Sequence, residues 1–136
     1  MTYSFPSDEW IKAMAEEVNR SEAYAKSAAK WEGDFYFIVE PGPGLAETVT
    51  LYIDLWHGEA KSANEVGDAS EKAPEFVIRA PLNTWRRVIE KKLDPIQGMI
   101  TGQLKLKGTM SKIMRFPKAA ADLVNCATKV PTEFPS

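Results

Sequence analysis

The sequence predicts an α+β domain in which helices cover one face of a mostly antiparallel sheet. Three observations carry that prediction. From about Asp34 to Ala80 the chain reads as short β-branched and aromatic runs divided by Gly/Pro and His-Gly turns, the pattern of consecutive hairpins. At both ends apolar residues recur instead at three- and four-residue intervals, as along one face of a helix. Strands and helices do not alternate one for one, which argues against a nucleotide-binding βαβ array.

Ser7 can cap a first helix whose opening turn carries Asp8 and Glu9 near the positive end of the helix dipole. Trp10, Ile11, Met14, Ala15 and Val18 form its apolar stripe. Asn19-Arg20-Ser21 breaks it, and a second helical stretch from Ser21 to about Lys30 turns Tyr24, Ala28 and Trp31 inward. A strand from about Asp34 to Glu40 ends in Gly42-Pro43-Gly44. With no Lys-Ser/Thr behind it, that glycine pair reads as a turn rather than a phosphate cradle. In the next strand Val49, Leu51, Ile53 and Leu55 share one face; a His57-Gly58 turn, a third strand, a polar loop and the strand EFVIRA follow. Trp85, Val88, Ile89 and Leu93 lie at helical spacing, with Arg86, Arg87, Glu90 and Lys91 outside. A last helix starts at Pro117 and has Ala120, Leu123, Val124 and Ala127 on its apolar face.

Between these helices, Leu93 to Phe116 concentrates most of the chain's character. Asp94-Pro95 has the form of an acidic cap followed by proline at the first helical position, and Ile96, Met99 and Ile100 then share a face. The strand behind it alternates, with Gly102, Leu104, Leu106 and Gly108 on one side and Thr101, Gln103, Lys105 and Lys107 on the other. Met99, Met110 and Met114 are three of the four methionines after the initiator, and such side chains suit a wall that must adapt to irregular shapes.

A chain of 136 residues makes one domain. Residues 1–30 read as its N-terminal helices, 31–80 as a strand meander, 81–128 as helices with the last strand, and 129–136 as a loose Pro-rich tail. With 44% hydrophobic and 26% charged residues it has the composition of an ordinary globular protein, and no apolar run approaches the roughly 20 residues that span a bilayer. MTYSFPSDEW lacks the form of a signal peptide, and a single cysteine, Cys126, makes no internal disulfide. A reducing, cytoplasmic setting is the expectation. The net charge of −2 conceals two unlike halves: residues 1–68 carry 5 Lys/Arg against 13 Asp/Glu, and residues 69–136 carry 12 against 6. The basic excess falls on Trp85 to Lys118, where only Glu90 and Asp94 are acidic, and it suits a solvated face, an anionic lipid surface or a phosphorylated ligand.

The catalytic inventory is thin. His57, the only histidine, lies near Asp54 and Glu59, but on a strand Asp54 and His57 point to opposite faces, and Gly58 makes a turn the simpler account. Asp34 and Tyr36 share a strand face and offer an acid pair of the kind small isomerases use. No nucleophile motif, zinc-type spacing or Walker pattern is present, so no catalytic residue, metal or cofactor is expected, nor any nucleic-acid partner.

The run from Phe76 to Leu123 resembles the sterol carrier protein 2 family of lipid-binding and lipid-transfer domains. Asp94-Pro95, Gly98, Gly102, Leu104-Lys105 and Gly108 match the family's pattern there. The resemblance implies a five-stranded sheet covered by helices, an apolar tunnel between them, and non-catalytic binding of fatty acids, fatty acyl-CoA, phospholipids or sterols. It implies that the tunnel wall includes Trp85, Ile89, Leu93, Ile96, Met99, Ile100, Leu104, Leu106, Met110, Ile113, Met114, Phe116, Leu123 and Val124. Arg86, Arg87, Lys91, Lys105, Lys112 and Arg115 would form a rim for a lipid headgroup or for transient contact with an anionic membrane. A small cavity enzyme using His57 or Asp34 and Tyr36, or an accessory interaction module, are the alternative readings. The pattern carries no information on oligomeric state.

Overall fold

A two-residue strand, β1 (Tyr3–Ser4), leads into Ser7, whose hydroxyl accepts a hydrogen bond from the Trp10 N–H at 3.1 Å and so opens helix α1 (Asp8–Arg20). These features come from a computed structural model that describes every residue from Met1 to Ser136. Ser21 ends α1 in an extended conformation and caps α2 (Glu22–Ser27) by accepting from the Tyr24 N–H, which is why the helical stripe breaks there. The sheet strands are β2 (Glu32–Glu40), β3 (Val49–Trp56), β4 (Glu59–Val66), β5 (Phe76–Pro81) and β6 (Lys105–Lys107). After β5 come α3 (Leu82–Ile89) and α4 (Pro95–Ile100), and after β6 come α5 (Met110–Met114), α6 (Pro117–Lys129) and β7 (Thr132–Glu133).

The strand order is β4-β3-β2-β5-β6. β2, β3 and β4 form the expected antiparallel meander, with β3 and β4 joined at His57-Gly58 by a two-residue turn with φ of 50° and 80°. β5 does not continue it. It crosses to the far side of β2 and pairs in parallel, Phe35 opposite Phe76, before β6 adds antiparallel to β5. The sheet is therefore mixed, though mostly antiparallel.

Alternation sorts the side chains by face. Phe35, Phe37, Val39, Leu51, Ile53, Leu55, Phe76, Ile78 and Ala80 join the helices' apolar stripes in one core. Tyr36, Ile38, Tyr52 and Val66 make a smaller cluster on the opposite face. The loop between β4 and β5 closes over that face, because the Tyr36 hydroxyl meets the backbone of Ala69 and Lys72 and Asp34 accepts from the Glu75 N–H at 2.7 Å.

Three local expectations need correction. The α3 spacing predicts a helix to Leu93, yet the helix stops at Ile89 because Lys91 takes a left-handed φ of 61°. The strand expected from Thr101 to Gly108 shortens to Lys105–Lys107, because Thr101 and Gly102 close α4 by donating to the Gln97 and Met99 carbonyls. Gly102 can do this at φ 80°, in open space. The alternation itself survives, with Leu104 buried and Lys105 and Lys107 exposed. Finally, the tail that reads as loose is pinned. β7 pairs in parallel with β1, Trp10 Nε1 donates to Thr132 Oγ1 at 2.9 Å, and Phe134 packs edge-on to Phe5.

The edge strand β4 would expose unpaired backbone groups, a standing invitation to pair with another chain. α1 occupies them. The Asn19 side chain accepts from the Ala60 N–H at 2.8 Å and donates to the Ala60 carbonyl at 3.1 Å, and Asp8 accepts from the Glu65 N–H. Asn19→Ala is expected to lower the unfolding free energy by about 1–3 kcal/mol, measured by urea denaturation, because it strands both Ala60 groups in a part-buried site.

Candidate functional site

Between the inner face of the sheet and the helices lies an apolar cavity of about 120 Å³. Its floor is the alternating inward set of three strands: Phe35 and Phe37 of β2, Leu51 and Leu55 of β3, and Ile78 of β5. Trp10 and Met14 come down from α1 and Tyr24 from α2, with Trp31 just before β2; Trp85, Val88 and Ile89 come from α3. Met99 of α4, Leu104, Ile113 of α5, Phe116 and the α6 residues Ala119, Ala120, Leu123, Val124 and Ala127 close it.

The interior is dry by construction. Trp31 lies 5.7 Å from Phe35 and 5.4 Å from Phe76, centroid to centroid, with Phe116 edge-on at 5.2 Å. Each indole N–H along the wall is already committed: Trp31 to the Gly33 carbonyl at 3.0 Å, Trp85 to the Ile38 carbonyl at 2.9 Å, and Trp10 to Thr132. Such a space attracts hydrocarbon rather than water.

Of the fourteen side chains expected to line it, Trp85, Ile89, Met99, Leu104, Ile113, Phe116, Leu123 and Val124 do so. Leu93 is buried in the adjoining core, Ile96, Leu106 and Met110 are half-buried beside it, and Ile100 and Met114 face out, 58% and 47% exposed. The reason is geometric. α4 and α5 have only six and five residues, so they turn few side chains toward the cavity, Pro95 and Met99 from α4 and Ile113 from α5. Sequence reasoning missed the floor and the α1–α2 wall. The signal was present in the Leu51/Leu55 alternation and the Trp10/Met14 stripe, but periodicity alone does not distinguish a core from a cavity wall.

The Asp94–Gly108 motif builds the hinge between α4 and β6. Asp94 caps α4 by accepting from the Ile96 N–H at 2.9 Å, and Pro95 takes the first helical position. Gly98 lets Leu104 approach, since a Cβ there would stand 2.9 Å from Leu104 Cδ1. Gly108 combines a φ of 134° with a close approach to Phe76 of the neighbouring strand β5.

The basic residues expected at a rim differ in their surroundings. Arg86 pairs with Glu90 at 3.2 Å and lies over the Phe134 ring, while Lys112 pairs with Glu75 at 2.7 Å beside Trp31. Arg87 donates to Gln103. Lys91, Lys105 and Arg115 are exposed and form no ion pair.

The groups considered for catalysis lie elsewhere. His57 sits half-exposed at the β3–β4 turn, against Glu32 and stacked on Trp56. Asp34 accepts from the Tyr52 hydroxyl at 2.8 Å on the outer face, where burial and the Asp34 carboxylate hold that hydroxyl in its protonated form. Cys126 is buried, and burial pushes its thiol pKa up, away from the thiolate a nucleophile needs. No cluster of acidic, His or Cys side chains is placed to hold a metal.

A mixed five-stranded sheet roofed by six helices, with an apolar cavity between them, defines an α+β domain. A family comparison narrows the class: the model of the SCP-2 sterol transfer family matches residues 11–121, and the chain belongs to that family. Its fold is one of lipid binding and transfer and is generally non-catalytic. A crystal structure of sterol carrier protein 2 is 38% identical and superposes with a TM-score of 0.82, covering 91% of this chain and 97% of that one. The solution structure of a conserved hypothetical protein from Thermus thermophilus, described as possibly a sterol carrier protein, is 37% identical with a TM-score of 0.83, covering 92% and 88%. The apo form of sterol carrier protein 2 from Yarrowia lipolytica, 19% identical over 87% of this chain and 88% of that one with a TM-score of 0.59, shares the fold. No curated protein sequence matches the chain.

Proposed function

We propose that this chain binds single amphipathic lipids, such as fatty acids, fatty acyl-CoA, phospholipids or sterol-like molecules, in the cavity and carries them between cytoplasmic membranes without turnover. The observation that carries the reading is the almost wholly apolar lining whose indole N–H groups are all spent within the protein. Each CH₂ moved from water into such a site contributes about 0.8 kcal/mol, so a hydrocarbon chain binds there with few polar contacts. Volume sets a condition. A space of about 120 Å³ is close to the engineered cavity of about 150 Å³ that holds benzene, so a long chain must widen it. α4 and α5 are the elements to yield, because they are too short to be stable helices apart from their packing on α6.

The same two helices favour transient contact with an anionic membrane. Ile100 and Met114 project from their outer sides, and the chain from Pro95 to Ala121 holds five basic residues and no acid. Each cation near an anionic surface adds about 1 kcal/mol. Lys105→Glu with Arg115→Glu is expected to abolish flotation with phosphatidylglycerol vesicles at low salt; undiminished flotation would remove this part of the reading.

Extraction and native mass spectrometry of the purified protein test the central claim, with one lipid per chain as the expected result and persistent absence of bound lipid, after incubation with fatty acid, as the contrary one. The enzyme alternative is met by His57→Ala, for which lipid affinity is expected to stay unchanged and stability to move by less than about 0.5 kcal/mol.

A further inference from the structure

Tyr24 differs from every other residue lining the cavity. It is 2% exposed, yet its hydroxyl forms no hydrogen bond within the chain. The protein nevertheless contains no fully sealed side-chain polar atom without a partner. The Tyr24 hydroxyl is therefore unpartnered yet not fully sealed, and Tyr24 is one of the residues that line the cavity, with the Cys126 thiol of α6 near it on the other side. Burial, and after it the nearby Cys126, pushes its pKa well above the usual tyrosine range, so it remains a donor at any physiological pH.

An unpartnered buried donor is costly to an apo protein and gains its hydrogen bond only when something arrives to accept it. We propose that Tyr24 is the polar anchor of the cavity, donating a hydrogen bond to an acceptor oxygen on the bound molecule. The ligand class this selects is an amphiphile that brings a carboxylate, carbonyl or hydroxyl oxygen inside, to the α2 side, rather than a plain hydrocarbon or a lipid whose polar atoms all stay at the rim. A site built to satisfy a hydrogen bond discriminates by leaving its donor unpaired when the acceptor is missing. This inference rests on the carrier reading above and adds the orientation of the ligand to it.

Tyr24→Phe deletes only the hydroxyl. The probes are decanoate and decane, and the reporters are Trp10, Trp31 and Trp85 in the cavity wall, followed by fluorescence. The expected result is a roughly tenfold loss of affinity for decanoate with decane affinity unchanged, together with no fall in the thermal midpoint of the empty protein, since no internal hydrogen bond is removed. Equal affinity of wild type and Tyr24→Phe for decanoate would overturn the proposal. So would an equal loss for both probes, or a destabilised empty protein, each of which marks the hydroxyl as a structural group. If the wild type bound neither probe, the carrier reading itself would fall and this one with it.

Discussion

Ala120→Trp is expected to abolish lipid binding, by at least about 100-fold, while the protein stays folded. Ala120 is a small residue on the cavity-facing side of α6, one turn before Leu123 and Val124. An indole built there enters space that no protein atom occupies, whereas the same change at a well-packed site would force its neighbours apart. Overpacking a core costs about 1–3 kcal/mol, and here the new apolar contacts offset part of it. The ligand, by contrast, loses the volume it needs. Native mass spectrometry after incubation with fatty acid reads the outcome, and circular dichroism checks the fold; Ala120→Leu should give an intermediate loss. A folded Ala120→Trp protein that still carries lipid at wild-type occupancy would show that the ligand lies elsewhere.

Gly108→Ala should be among the most destabilising single changes in the chain, at about 3–5 kcal/mol in urea denaturation. Two effects combine. A side chain at φ 134° is strained by about 1–3 kcal/mol, and its Cβ would stand 2.5 Å from Phe76 Cδ1 and 3.0 Å from the Glu75 carbonyl. Phe76 has nowhere to go, because it is fully buried and lies 5.2 Å from Phe35 and 5.4 Å from Trp31 between ring centroids. Gly102→Ala is the control. It shares the positive φ but meets nothing within 4 Å, so about 1–2 kcal/mol is expected. Equal effects at the two glycines would show that backbone conformation, not the Phe76 contact, governs the Gly108 position.

Much of the architecture was legible because it is written in local grammar. Ser7, Ser21 and Asp94 cap the helices that their spacing announces, and the His57-Gly58 turn pairs β3 with β4. Binary patterning assigned Leu51, Ile53 and Leu55 to one face of the sheet and Trp10, Met14 and Val18 to one face of α1, and all six are buried. Eight of the 23 residues lining the candidate cavity were anticipated, through α3, α6 and the Asp94–Gly108 resemblance. The outward placement of Ile100 and Met114 has one origin: spacing and resemblance relate residues to one another, not to the neighbouring element, and helices as short as α4 and α5 turn few side chains inward.

What the sequence determined by itself is which segments become helix or strand, which side of each is apolar, and where caps and turns stop them, because those outcomes depend on contacts within a few residues. Tertiary structure decided the parallel docking of β5 beside β2, the return of Thr132–Glu133 to the N-terminus, and the gap that the packed elements leave between them. These follow from contacts between residues distant in the chain. A cavity in particular is a failure of surfaces to meet, so no residue spells it, and the solitary Tyr24 hydroxyl acquires its meaning only when the walls around it are in place.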